Sequence, residues 1–60
     1  MEFEGNRYVK YGLPRVFSAR ELVRTGESRG IDVFVQPGVA NMINVPLRPG
    51  CEFQPYQRVP

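Results

Sequence analysis

General acid–base chemistry is carried most often by histidine, and this chain of 60 residues contains none. The usual catalytic triads are closed to it. Cys51 is the single thiol, and to act as a nucleophile it would need a base beside it or a lowered pKa. Its flanks are Gly50 and Glu52. A neighbouring carboxylate raises a thiol's pKa, so Cys51 reads as a small buried hydrophobe rather than a reactive group. Glu2 and Glu4 stand two apart and would project from one face of a strand as a carboxylate pair. No cleft can be built around them. A solvated face, paired across a hairpin with Arg7 or Lys10, is the expectation. Asp32, the one aspartate, sits in an apolar run, and strand alternation turns it outward.

Structural zinc asks for four Cys or His ligands at short paired spacings, and calcium for a loop rich in oxygen ligands. Neither pattern exists here. The six glycines are scattered singly and make no phosphate-cradling loop. No cofactor, metal or nucleotide site is therefore expected, and no catalytic residue. No stretch approaches the roughly 20 apolar residues of a membrane helix, and no charged-then-apolar leader opens the chain. The expected setting is the cytoplasm, or a particle assembled there, with no membrane partner.

Binding chemistry is what remains. Tyr8, Tyr11, Phe34, Phe53 and Tyr56, interleaved with Arg7, Lys10 and Arg48, could form the stacking and cationic surface of a single-strand nucleic-acid binder on a small barrel. Arg20 and Arg24 would extend it. Against this, the net charge is +2, seven Arg and one Lys facing five Glu and one Asp, which is thin for a nucleic-acid patch. A chain this short also needs aromatic rings for its core. The rival surface is the tail Phe53-Gln-Pro-Tyr-Gln-Arg-Val-Pro60, in which Phe53, Tyr56 and Val59 recur every third residue, as in a polyproline-like arm. Tyr and Arg dominate many interfaces, so Phe53, Tyr56, Arg58 and Val59 are the candidate partner-binding residues.

The elements that would position these groups read as β-rich, either mainly β or a small α+β domain. Residues 1–11 alternate apolar and polar around Gly5-Asn6, which fits a two-residue hairpin loop. Phe3 then shares a face with Met1, and Tyr8 is turned away from Val9. Gly12-Leu13-Pro14 ends that pairing. Ser18 and Glu21 stand at capping-box spacing, with Phe17 and Leu22 as a hydrophobic staple and Gly26 as a left-handed stop. That spacing predicts a two-turn helix over residues 19–25, packed by Leu22 and Val23 with Arg20 and Arg24 in water. A strand-turn-strand through Gly26 to Gly30 is the competing reading. Ile31–Val35, Val39–Val45 and a third strand from Cys51 then form a meander, joined at Pro37-Gly38 and Pro49-Gly50 in type II geometry. Pro55 and Pro60 bar the tail from a central strand, leaving 54–60 as an extended arm or an edge.

Sixty residues hide only about 60% of their unfolded surface, so one thin core and one domain are expected. With disulfide and metal excluded, a partner is the remaining source of stability. The sequence thus points to a non-enzymatic accessory protein that binds a larger protein or copies of itself through a sheet edge and its C-terminal arm. Inhibitors, assembly factors and phage or other virion accessory proteins are of this kind. The alternative is the small-barrel binder of single-stranded nucleic acid.

Overall fold

Two hairpins with the same loop geometry begin the fold. In the computed structural model, which describes residues 1–18, 20–47 and 51–60, β1 (Glu2–Phe3) turns into β2 (Asn6–Lys10) through Glu4 and Gly5, at φ 51° and 79°. Later, β4 (Val23–Ser28) turns into β5 (Ile31–Val35) through Arg29 and Gly30, at φ 52° and 82°. A type I′ loop needs positive φ at both central residues, and glycine adopts it without steric cost at the second. The first loop is therefore Glu4-Gly5 and not Gly5-Asn6. Asn6 instead opens β2 opposite Phe3.

The helix expected over 19–25 is absent: Val23–Ser28 is β4, while Ala19 lies outside the described residues. Half of its capping signal is nevertheless used. The Ser18 N–H donates to Glu21 Oε1 at 2.8 Å, and the Glu21 N–H donates to the Ser18 carbonyl at 3.0 Å. These two bonds close one turn. A helix of two turns must meet the full nucleation cost with few internal bonds, whereas β-branched Val23 opens a ladder with β5 that runs from Val23↔Val35 to Ser28↔Ile31. The ladder wins. Gly26 does not stop a helix either, because it is not among the residues with positive φ. It follows a bulge between Arg24 and Gly26.

β6 (Met42–Pro46) and β7 (Glu52–Arg58) complete the meander. The turn before β6 follows the sequence reading, since the Val39 N–H donates to the Gln36 carbonyl at 3.0 Å around Pro37 and Gly38, the latter at φ 85°. The second Pro-Gly turn falls on residues 48–50, outside the described residues. The sheet is antiparallel, in the order β1-β2-β7-β6-β5-β4, and the two-residue β3 (Arg15–Val16) pairs with β7 beyond β2. Its two ends approach one another. The Ser28 hydroxyl on β4 donates to the Glu2 carbonyl on β1 at 2.8 Å, so the sheet is a nearly closed barrel.

The tail runs through the middle of this sheet. Residues 54–58, expected as an arm, belong to β7, with β6 on one side and β2 and β3 on the other. Proline fits there for a local reason. The Pro55 carbonyl accepts from the Tyr11 N–H at 3.0 Å, and in an antiparallel strand a residue's nitrogen and carbonyl face the same neighbour. The missing N–H of Pro55 thus points to the end of β2, where the ladder stops anyway.

Side chains pack on both faces of the sheet. Inside lie Phe3, Tyr8, Val33 and Ile43, with Met1, Val35 and Tyr56 against them. Phe34 alternates with Val33 and Val35, so it faces outward. There its ring meets Phe53 edge to face at 5.4 Å, and Phe53 meets Phe17 in the same way at 5.9 Å. Phe17 is 1% exposed, so its ring covers part of the outer face beside Phe53, and Leu22 is also buried.

Candidate functional site

The residues singled out for partner binding do not share a surface. Phe53 is half-buried in the outer aromatic cluster, Tyr56 packs against the inner core, and Arg58 and Val59 are exposed at the end of the chain. Strand alternation explains the scatter, because residues three apart on β7 face opposite ways. The backbone there is occupied too. The Arg58 N–H donates to the Asn41 carbonyl and the Val59 N–H to the Arg7 carbonyl, each at 2.8 Å.

The nucleic-acid set is divided in the same manner. Arg7, Lys10 and Tyr11 are exposed, but Tyr8 between them is buried in the inner core. Arg20 is exposed; Arg24 bonds Asp32 at 3.0 Å and approaches Glu27 at 3.8 Å. Arg48 lies outside the described residues. Of the aromatic residues proposed for stacking, Phe34, Phe53 and Tyr56 are half-buried, and Tyr11 alone is exposed.

The remaining titratable groups show no catalytic arrangement among the described residues. Glu4 sits in a loop and Glu2 faces Arg7 in register, so the two carboxylates do not share a strand face. Asp32 is exposed and paired with Arg24, as alternation suggested. Cys51 is exposed, not buried: its carbonyl accepts from the Phe17 N–H at 2.9 Å at the end of the β3/β7 pairing. The Glu21 carboxyl is held below the usual carboxylate range, first by the Ser18 backbone N–H, then by the Ser18 side chain, with Arg15 adding a smaller attraction. No group of three Cys, His, Asp or Glu side chains among the described residues could hold a metal ion. No helix among them is long and apolar enough to cross a membrane.

A different surface gathers exposed apolar side chains. Leu13 is 82% exposed and Val16 76%, the two highest values for large apolar residues among those described, and Tyr11 is 55% exposed. Tyr11 and Leu13 belong to the connection between β2 and β3, and Val16 to β3 itself. Beside them lies a shallow groove of 340 Å³ lined by Tyr11, Leu13, Pro14, Arg15, Met42 and Pro55. The connection is fixed in place by Gln54, a buried residue of β7 whose Nε2 donates to the Gly12 carbonyl and to the Pro55 carbonyl, each at 3.1 Å. The Arg15 guanidinium stacks over the Phe17 ring at 4.8 Å.

β3 also presents backbone. The Phe17 N–H donates to the carbonyl of Cys51, the residue before β7, and alternate residues of an antiparallel strand bond the same neighbour. Arg15 therefore also turns its polar backbone groups toward β7. Val16, between them, turns its N–H and C=O away. The result is a short strand edge bordered by Leu13 and Val16, with Arg15 on the strand itself. Sequence reasoning took Gly12-Leu13-Pro14 as a strand break and nothing more. The available signal was an apolar residue beside a proline, in a segment with no regular face to bury it. Compared with protein-family models, with curated proteins and with solved structures, the chain matches none of them.

Proposed function

We propose that this is a non-enzymatic binding protein that docks an extended segment of another protein along its β3 edge. The observation that carries the reading is the exposure of Leu13 and Val16 beside a strand whose outer backbone groups point to solvent. Strand addition supplies main-chain bonds for affinity and uses alternate side chains for choice. Here Leu13, Tyr11 and the adjoining groove would receive apolar side chains. Arg15, which lines the groove, favours a carboxylate on the same segment.

Charge also argues for a different partner over a second copy. A second copy of a chain with net charge +2 would bring more cations than carboxylates to an edge that already carries Arg15. A protein of this kind would act as an inhibitor or an assembly factor, virion accessory proteins included. The nucleic-acid reading has less support, because single-strand binding needs exposed rings for stacking. Selection from a displayed library of random peptides, using the whole chain as bait, tests the proposal. Enriched peptides should alternate apolar and acidic residues and should lose at least about tenfold in affinity for Leu13→Glu, a change worth about 1.4 kcal/mol. Enrichment of peptides that bind Leu13→Glu unchanged, or no enrichment, would refute it.

A further inference from the structure

On the inner face of the sheet, away from the groove beside the docking edge, the barrel has a mouth. Pro55 borders the groove at 11–15, and its neighbour Tyr56 lines a second, separate concavity of 610 Å³. The two grooves share no lining residue. The volume falls within the range of about 300–1,000 Å³ typical of small-molecule sites.

The floor is the open end of the inner core. Ile31, Val45 and Tyr56 lie on the inward side of their strands, and all three line the concavity. Val45 is 8% exposed and Tyr56 half-buried. The walls are the two type I′ hairpins, held together by the Ser28 hydroxyl on the Glu2 carbonyl. Both hairpins bring an arginine to the rim: Arg7 from β2 and Arg29 from the second loop. Neither guanidinium has an ion-pair partner among the described residues, unlike Arg24, which has two. Glu2, opposite Arg7 in register, is the one carboxylate at the rim and offsets part of this charge.

An apolar floor beneath two unpaired guanidinium groups selects for a specific kind of molecule. Arginine offers a planar fork of donors that matches carboxylate and phosphate oxygens. We propose that the barrel mouth binds a small organic anion, a flat apolar body carrying a carboxylate or a phosphate. Its body lies on Ile31, Val45 and Tyr56, and its charged group sits between Arg7 and Arg29. This site is independent of the docking edge and stands or falls without it.

Nitrogen–proton NMR titration of the labelled full chain tests the assignment with four probes: 2-naphthoate, 2-naphthyl phosphate, neutral 2-naphthol and cationic 2-naphthylmethylammonium. At least one anion should shift the amides of Arg7, Arg29, Val45 and Tyr56. Neutral and cationic probes should bind about tenfold more weakly or less. Whichever anion is held more tightly identifies the charged group. Arg7→Gln and Arg29→Gln should each weaken the anion about tenfold with the spectrum otherwise preserved, and Glu2→Gln should tighten it. The proposal is overturned if 2-naphthol binds as well as the anions, if the shifts fall on residues 11–16, if neither anion binds, or if both arginine variants bind unchanged.

Discussion

The ring of Phe3 lies against Gly26, its Cζ 3.2 Å and its Cε1 3.3 Å from where a β-carbon on Gly26 would stand. This contact joins β1 to β4 across the gap where the sheet nearly closes. Phe3 is buried in the inner core and cannot move aside freely. Gly26→Ala should therefore destabilise the fold by about 1 kcal/mol, overpacking outweighing the entropy gained in the unfolded chain. In a Phe3→Leu background the penalty should largely vanish, and a double-mutant cycle by urea denaturation measures that coupling.

Gln54 bonds the Gly12 carbonyl from the inside of the sheet and so sets where Leu13 projects. Gln54→Leu keeps the volume and removes both donations. It should cost about 1–2 kcal/mol. Amide exchange at Tyr11 to Leu13 should speed up by more than the global loss of stability accounts for.

Deleting residues 54–60 removes most of β7, the strand that β2, β3 and β6 all pair with. The shortened chain should give the poorly dispersed NMR spectrum of an unfolded protein. Deleting residues 59–60 alone gives up the bond from the Val59 N–H to Arg7 and should leave the fold intact. A dispersed spectrum from the longer deletion would contradict the placement of β7.

The Glu21 carboxyl is stabilised in its charged form by Ser18, so its pKa in the folded chain is below its unfolded value. A depressed carboxylate pKa stabilises the fold fully above the unfolded value, about 4.3 for glutamate, and the contribution fades as pH falls through the folded value. The urea midpoint of Glu21→Gln should thus lie below that of the parent at pH 7. The gap should close in acid, once Glu21 is protonated in both states.

Features set by neighbours in the chain were legible before the structure. The hairpin at the start, Ile31–Val35 as a strand, the Pro37-Gly38 turn and the outward Asp32 all follow from alternation and turn chemistry within a few residues. Features set by distant partners were not. The Glu21 carboxylate accepts from the Ser18 N–H, one half of the capping box their spacing implies, yet whether a helix follows depends on the ladder that β5 offers from Val23 onward. Pro55 looked unfit for a central strand because its tolerance rests on where β2 ends. The same holds for the docking edge, since Gly12-Leu13-Pro14 reads only as a break until Gln54, 42 residues away from Gly12, fixes the connection in place.

The docking proposal depends most directly on the backbone of Val16. Its N–H should become strongly protected from hydrogen exchange when a library-selected peptide binds, because strand addition gives it an acceptor. Val16→Pro removes that donor without touching the bonds to β7. It should weaken the peptide by about tenfold or more, the scale of a lost main-chain bond at a strand edge, while leaving the urea midpoint close to the parent's. A peptide that binds with Val16 exchange unchanged, and binds Val16→Pro as tightly as the parent, would contradict docking along β3.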